Sequence, residues 1–239
     1  MRARHRHFNP KDAGASGVYD ARFISGIANN AAVGTWNSRT GTNTATQATS
    51  ANQPIYRTDQ LNGNPVLQFD GTNDFLRFDK RDASAAWALC VAKRTSTNIY
   101  QNLILVQNIA QTIHTFLMVV HNDTNYGPVL VGNGGGGSSL MAKGSTLRND
   151  QWRSLYGVWL GGGSSGASFY NAWDDGVSIT LTNSGIVGAS NQTSSLIASS
   201  PNGWGGQIAQ IVFGLSSSTD PRRKRASHAA AYSFKLASS

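Results

Sequence analysis

The chain of 239 residues contains no glutamate; all 12 of its acidic residues are aspartates. Glutamate favours helices and aspartate does not, so this absence tilts the chain toward sheet and turn. Charged residues of either sign reach only 13%, too few to coat long solvent-facing helices. Cysteine is scarce as well. Cys90 is the single one, which excludes a disulfide framework within the chain. It lies in the apolar run AAWALCVA, where a small buried hydrophobe is the ordinary role, and no His or Asn signature beside it supports a nucleophile. No apolar run is long enough to cross a membrane, and the N-terminal stretch lacks the apolar centre of a leader peptide. The expectation is a protein that, if it works outside a cell, leaves by another route such as lysis.

What is present is glycine, 26 residues of it, with abundant Ser, Thr and Asn around short apolar runs. The length fits one large all-β domain. The stretch GNPVLQFDGTNDFLRF, residues 63–78, sets the pattern. Val66, Gln68 and Asp70 alternate with Leu67 and Phe69, and Leu76 and Phe78 alternate with Phe75, Arg77 and Asp79. Between the two runs, Gly71 supplies a backbone angle that a side chain resists, while Asp70 and Asn73 are suited to bonding nearby amides. The run AAWALCVAKR is apolar on both faces, as a central covered strand is. Further strands are expected in GVYDARF, NLILVQN, HTFLMVVHN, GPVLVG, QWRSLYGVW and GQIAQIVFGL, and FYNAWDDGVSITL reads as a hairpin about an Asp-Asp-Gly turn. The total is roughly ten to thirteen strands at sandwich spacing. TWNSRTGTNTATQATSANQPIY reads as a polar loop hung on a core anchor, Trp36. Only the C-terminal end looks helical. There Thr219 or Asp220 caps, Pro221 takes the first helical position, and Ala226, Ala230 and Phe234 share a face. Residues 1–16 form a basic arm and residues 17–239 the domain.

Four segments, taken in order, carry a family likeness: TWNSRTGTNTATQATSANQPIY, LNGNPVLQFDGTNDFLRF, NDQWRSLYGVW and SLIASSPNGWGGQIAQIVF. Together they resemble the concanavalin A-like lectin/glucanase jelly rolls of the laminin-G-like type, over residues Gly17 to Leu236. The resemblance implies an all-β, two-sheet antiparallel jelly-roll sandwich with a short C-terminal helix. Such domains occur in bacterial surface proteins and bacteriophage structural proteins, and they include lectins, hydrolases, adhesion modules and inert virion parts, so the fold does not fix the function.

The chemistry is then a matter of residues. Glycoside hydrolysis uses two carboxylates flanking the bond. The hydrolases of this fold alternate Glu and Asp on one strand, and this chain has no such set; Asp174 and Asp175 are adjacent, so they face opposite ways or form a turn. Calcium takes oxygen ligands from Asp, Asn and carbonyls. Asp70, Asn73 and Asp74, and separately Asn122, Asp123 and Asn125, are the candidates, with turn formation as the competing role. His114 and His121 flank one strand too far apart to share a metal. Sugars need an aromatic platform with amide or carboxylate partners. Trp173 beside Asp174 and Asp175, Tyr126 beside Asn125, and Trp204 are the candidates, each with core packing as the alternative. Net charge is +8, concentrated in Arg2, Arg4 and Arg6 and in Arg222, Arg223, Lys224 and Arg225. No recognition module for nucleic acid accompanies these residues, so they read as partner-docking ends or as solvated surface.

The expectation from sequence is a non-enzymatic virion structural or decoration protein, on a phage capsid or tail. It would be present in multiple copies or as a homo-oligomer, held among other virion proteins by its ends, and would adhere to glycans through its loops. It needs no cofactor, with calcium as the one candidate, and no membrane. The alternative is a secreted or cell-surface carbohydrate-binding module.

Overall fold

The computed structural model describes residues 14–40, 43–79, 86–95, 100–107, 114–121, 128–132, 138–143, 150–159, 170–174, 177–179, 182–188, 195–198 and 203–215. The strands form two antiparallel sheets. The first contains β1 (Gly17–Asp20), β4 (Ile55–Leu61), β5 (Asn64–Asp70), β7 (Ala86–Arg94), β12 (Trp152–Trp159), β13 (Tyr170–Asp174), β14 (Val177–Ile179) and β17 (Gly205–Gly214). Its order is β14-β13-β12-β7-β17-β5-β4, and β1 pairs with the far half of β17, beyond β5. The second contains β2 (Thr35–Asn37), β3 (Thr44–Thr46), β6 (Leu76–Phe78), β8 (Tyr100–Gln107), β9 (His114–His121), β10 (Pro128–Gly132), β11 (Ser138–Lys143), β15 (Thr182–Gly188) and β16 (Ser195–Ile197). Its order is β15-β11-β10-β9-β8-β16-β6-β3-β2.

The all-β sandwich expected from the sequence is the architecture observed, and the alternation of side chains explains why. From β5, Leu67 and Phe69 enter the seam between the sheets, where they join Leu76 and Phe78 of β6 across it. Trp36, 1% exposed, is the core anchor expected of it. Four aromatic rings knit the seam: Tyr19 lies 5.5 Å from Trp36 and 6.0 Å from Phe78, and Phe78 lies 5.3 Å from Phe213. Tilted contacts at such distances add to plain burial.

The strand β7 lies between β12 and β17 and is buried along both faces. Ala86, Ala88, Cys90 and Ala92 enter the seam. The alternate residues Trp87, Leu89 and Val91 join Val18, Val66, Tyr156, Val158 and Val212 in a second apolar cluster, on the opposite face of the same sheet. The Trp87 indole lies against the backbone of β17: a Cβ on Gly214 would overlap it.

Two features differ from the sequence expectation. The stretch expected to be one polar loop contains β2, β3 and the start of β4, with a 3-10 turn at Ser50–Asn52. Ala45 between two threonines, and Trp36 between Thr35 and Asn37, give each short strand a single buried residue, too little periodicity to mark a strand. β4 and β5 are joined at Asn62 (φ 50°) and Gly63 (φ 81°), an Asn-Gly pair of the kind that makes tight hairpins. Seventeen strands are found among the described residues rather than ten to thirteen; those not expected are the three-residue β2, β3 and β16 and the longer β4, β11 and β15. The expected C-terminal helix and the basic arm up to residue 13 lie outside the described residues.

Candidate functional site

The turn joining β5 to β6 is built by its own side chains. Asp70 Oδ1 accepts hydrogen bonds from the backbone N–H groups of Thr72 (2.8 Å), Asn73 (3.1 Å) and Asp74 (3.2 Å). Asp74 Oδ2 accepts from the N–H of Asp70 at 2.9 Å, which closes the loop reciprocally. Gly71 takes φ 81°, the angle anticipated for it. Asp74 is buried, and burial together with the charge of Asp70 pushes its carboxyl up to about 6. The Asn73 side-chain oxygen is buried and accepts no hydrogen bond from the described residues. As a calcium site this is poor, because the ion wants about six to eight oxygens and both carboxylates already serve backbone donors. No group of three His, Cys, Asp or Glu side chains suited to a metal lies among the described residues. The geometry of Asp70, Asn73 and Asp74 is that of a self-capped turn.

Of the residues expected to hold a sugar, Trp204, Trp173 and Asp174 lie among the described residues. Trp204 is 1% exposed and belongs to the hydrophobic core between the sheets, so it offers no face to a ligand; Gly203 before it packs against the backbone of Gly71 in the β5–β6 turn. Trp173 and Asp174 lie on β13, paired with Tyr156 and Leu155 of β12. Asp174 also pairs with Val177 of β14, so β13 and β14 are antiparallel neighbours, as the expected hairpin requires. Asp175, Asn125, Tyr126, Asn122 and Asp123 lie outside the described residues, as do Arg2, Arg4, Arg6, Arg222, Arg223, Lys224 and Arg225.

The described carboxylates with known partners are engaged. Asp20, with no side-chain exposure, forms an ion pair with Arg22 (2.6 Å) and also accepts from Gln210 Nε2 (2.9 Å). Asp150 pairs with Lys93 at 3.3 Å. Burial pushes the Cys90 thiol far up, so this residue is a core hydrophobe and not a nucleophile.

A different corner of the sandwich stands out. Phe23 is 57% exposed, the one large hydrophobic residue among those described that is left open. It ends a 3-10 turn, Ala21–Phe23, capped by Asp20, whose Oδ1 accepts from the backbone N–H of Arg22 at 3.0 Å. Ile24 and Ile27, just beyond, pack against the core. The guanidinium of Arg39 lies 3.7 Å from the centre of the Phe23 ring. Arg39 follows β2 of the second sheet, yet its backbone N–H bonds the carbonyl of Val18 in the first, at 2.8 Å. Ser38 Oγ accepts from Val18 N–H (2.9 Å), and Asn43 Nδ2 donates to the carbonyl of Ser16 (2.6 Å). Phe23 and Arg39 are therefore fixed where the two sheets meet. In the sequence, Phe23 reads only as the end of the first strand. The signal for its exposure is Asp20, a cap residue two positions before Arg22, which ends the strand early.

No family model matches the sequence, and no curated protein is similar to it. Several solved structures are similar in fold. A Trypanosoma rangeli sialidase in complex with 2,3-difluoro-KDN superposes with a TM-score of 0.58 at 9% identity, over 93% of this chain and 33% of its own. The same sialidase in complex with sialic acid gives 0.57 at 9% identity, over 95% and 34%. An HCR/D mutant gives 0.59 at 8% identity, over 93% and 52%. The CBM40 of a Ruminococcus gnavus sialidase, bound to α2,3-sialyllactose, gives 0.45 at 13% identity, over 61% and 83%, a score too low to weigh. This chain thus spans about a third of the sialidase chains it resembles. At these identities the likeness establishes the β-sandwich fold and nothing narrower.

Proposed function

We propose that this chain is a non-catalytic carbohydrate-binding module, a rigid sandwich whose rim makes contact with glycans. The observation that carries the reading is Phe23, held open at 57% exposure on a corner pinned from both sheets. An exposed phenyl ring offers a flat apolar surface, which suits the C–H side of a pyranose. The engagement of Asp20, Asp70, Asp74 and Asp150 with backbone amides, a glutamine and cations fits binding without hydrolysis. The similar sialidase, solved with sialic acid, agrees in kind.

A glycan array probed with the purified full chain, run beside a cleavage assay on the retained oligosaccharides, tests this. Retention without cleavage is the expected result; cleavage of a retained glycan, or retention of none, overturns it. The other reading, a decoration protein on a virus particle, is motivated by the basic residues at 2–6 and 222–225 of the sequence. Co-sedimentation with intact particles, abolished by neutralising those residues, is its separate test.

A further inference from the structure

We propose that the Phe23–Arg39 pair is the glycan contact itself, and that it selects sugars bearing a carboxylate. This deepens the carbohydrate-binding reading and rests on it.

The corner contains two cations of different standing. Arg22 is answered locally, since its Nε and Nη2 donate to the buried Asp20 carboxylate at 2.9 and 2.6 Å. Arg39 is not: its one hydrogen bond to a described residue is made by its backbone N–H, and its side chain lies exposed against the Phe23 ring. The guanidinium carbon of Arg39 lies over the ring at 3.7 Å from its centre, a cation–π contact that restricts the side chain while leaving a planar set of N–H donors on it. Those donors form a fork that matches a carboxylate in bidentate geometry. Phe23 supplies the apolar half beside it. A pyranose bearing a carboxylate presents both complements within one ring: C–H groups for the phenyl face and an anion for the guanidinium.

The frame suits recognition because little must be ordered on binding. Asp20 holds the turn through Arg22 and Gln210, and Ser38 and Arg39 fasten the adjoining strand end to Val18. The chain as a whole carries +8, which attracts anions to its surface at low salt. Asp20 acts here as a positioning residue, since it reaches the ligand only through the turn it holds.

The experiment compares the full chain with F23A, R39A and R39K, titrated with oligosaccharides ending in a uronic acid, oligosaccharides ending in sialic acid, and the carboxyl-reduced form of each. Expected are a preference of the wild type for carboxylated over reduced forms, loss of binding by about tenfold or more in F23A, and loss of that preference in R39A, with R39K intermediate. The uronate and sialate arms distinguish which acid is read. Unchanged unfolding midpoints verify that the variants fold, as the exposure of both side chains leads one to expect. If the wild type binds a glycan that folded F23A and R39A bind equally well, this inference fails and the carbohydrate-binding reading stands. If the wild type binds no glycan, both fail.

Discussion

Replacing Asp74 by asparagine will make the protein more stable at neutral pH and flatten its dependence on acid. Asp74 sits buried beneath the turn between β5 and β6, and its carboxyl is displaced from an ordinary 3.8 to about 6, first by burial and then by the charge of Asp70. The hydrogen bond it accepts from the N–H of Asp70 opposes that displacement without cancelling it. Between the two values the folded chain keeps a proton that the unfolded chain has released. Unfolding therefore releases protons, and stability falls as pH rises through this window. The contribution of Asp74 is most favourable below pH 3.8 and its full penalty is present above about 6. At ~1.4 kcal/mol per pH unit the displacement amounts to about 3 kcal/mol at most, and water reaching the turn screens part of it. Asparagine keeps an oxygen for the Asp70 N–H and carries no charge, so D74N should recover about 1–3 kcal/mol at pH 7, less whatever its amide hydrogens lose on burial. Urea unfolding of both proteins at closely spaced pH values across the window is the assay. A D74N chain whose stability tracks pH as steeply as the wild type, or which is less stable at pH 7, would refute the assignment.

Cys90 should resist an aromatic disulfide reagent at pH 8 in the native protein and react fully once urea unfolds it, because the thiol is buried and its ionisation suppressed; rapid native labelling would contradict the packing described. Gly214→Ala should destabilise by about 1–3 kcal/mol, since the added methyl overlaps Trp87 and the core has little room to yield; denaturant midpoints measure it. Gly63→Ala, at φ 81° in the β4–β5 hairpin, should cost about 1 kcal/mol through backbone strain alone, with glycan binding unchanged.

Much of the fold is legible in alternation. Leu67 and Phe69 against Val66 and Gln68, and Trp87, Leu89 and Val91 against Ala88, Cys90 and Ala92, each define a strand and its two faces by residue order alone. Where the alternation is short it is silent. Ala45 is one buried residue in three, and a strand of that length is made by its neighbours rather than by its own sequence. The Asn62-Gly63 turn has the right chemistry for a hairpin, but the proline and polar residues around it obscure the flanking strands. The candidate site is less legible still. Trp204 and Phe23 are both aromatics near a turn, and composition favours the first as a sugar platform. What separates them is tertiary: Trp204 is buried in the core between the sheets, whereas Phe23 is lifted outward by a cap at Asp20 and an arginine arriving from the other sheet.

The distribution of bulk along β7 has a mechanical outcome. Its seam side offers alanines and a cysteine, its other side tryptophan, leucine and valine, so neither layer can loosen without withdrawing support from the strand that the other layer also rests upon. Melting should accordingly be concerted through this spine, with the amides of β7 and its neighbour β17 surrendering their hydrogens to solvent only when the whole molecule opens.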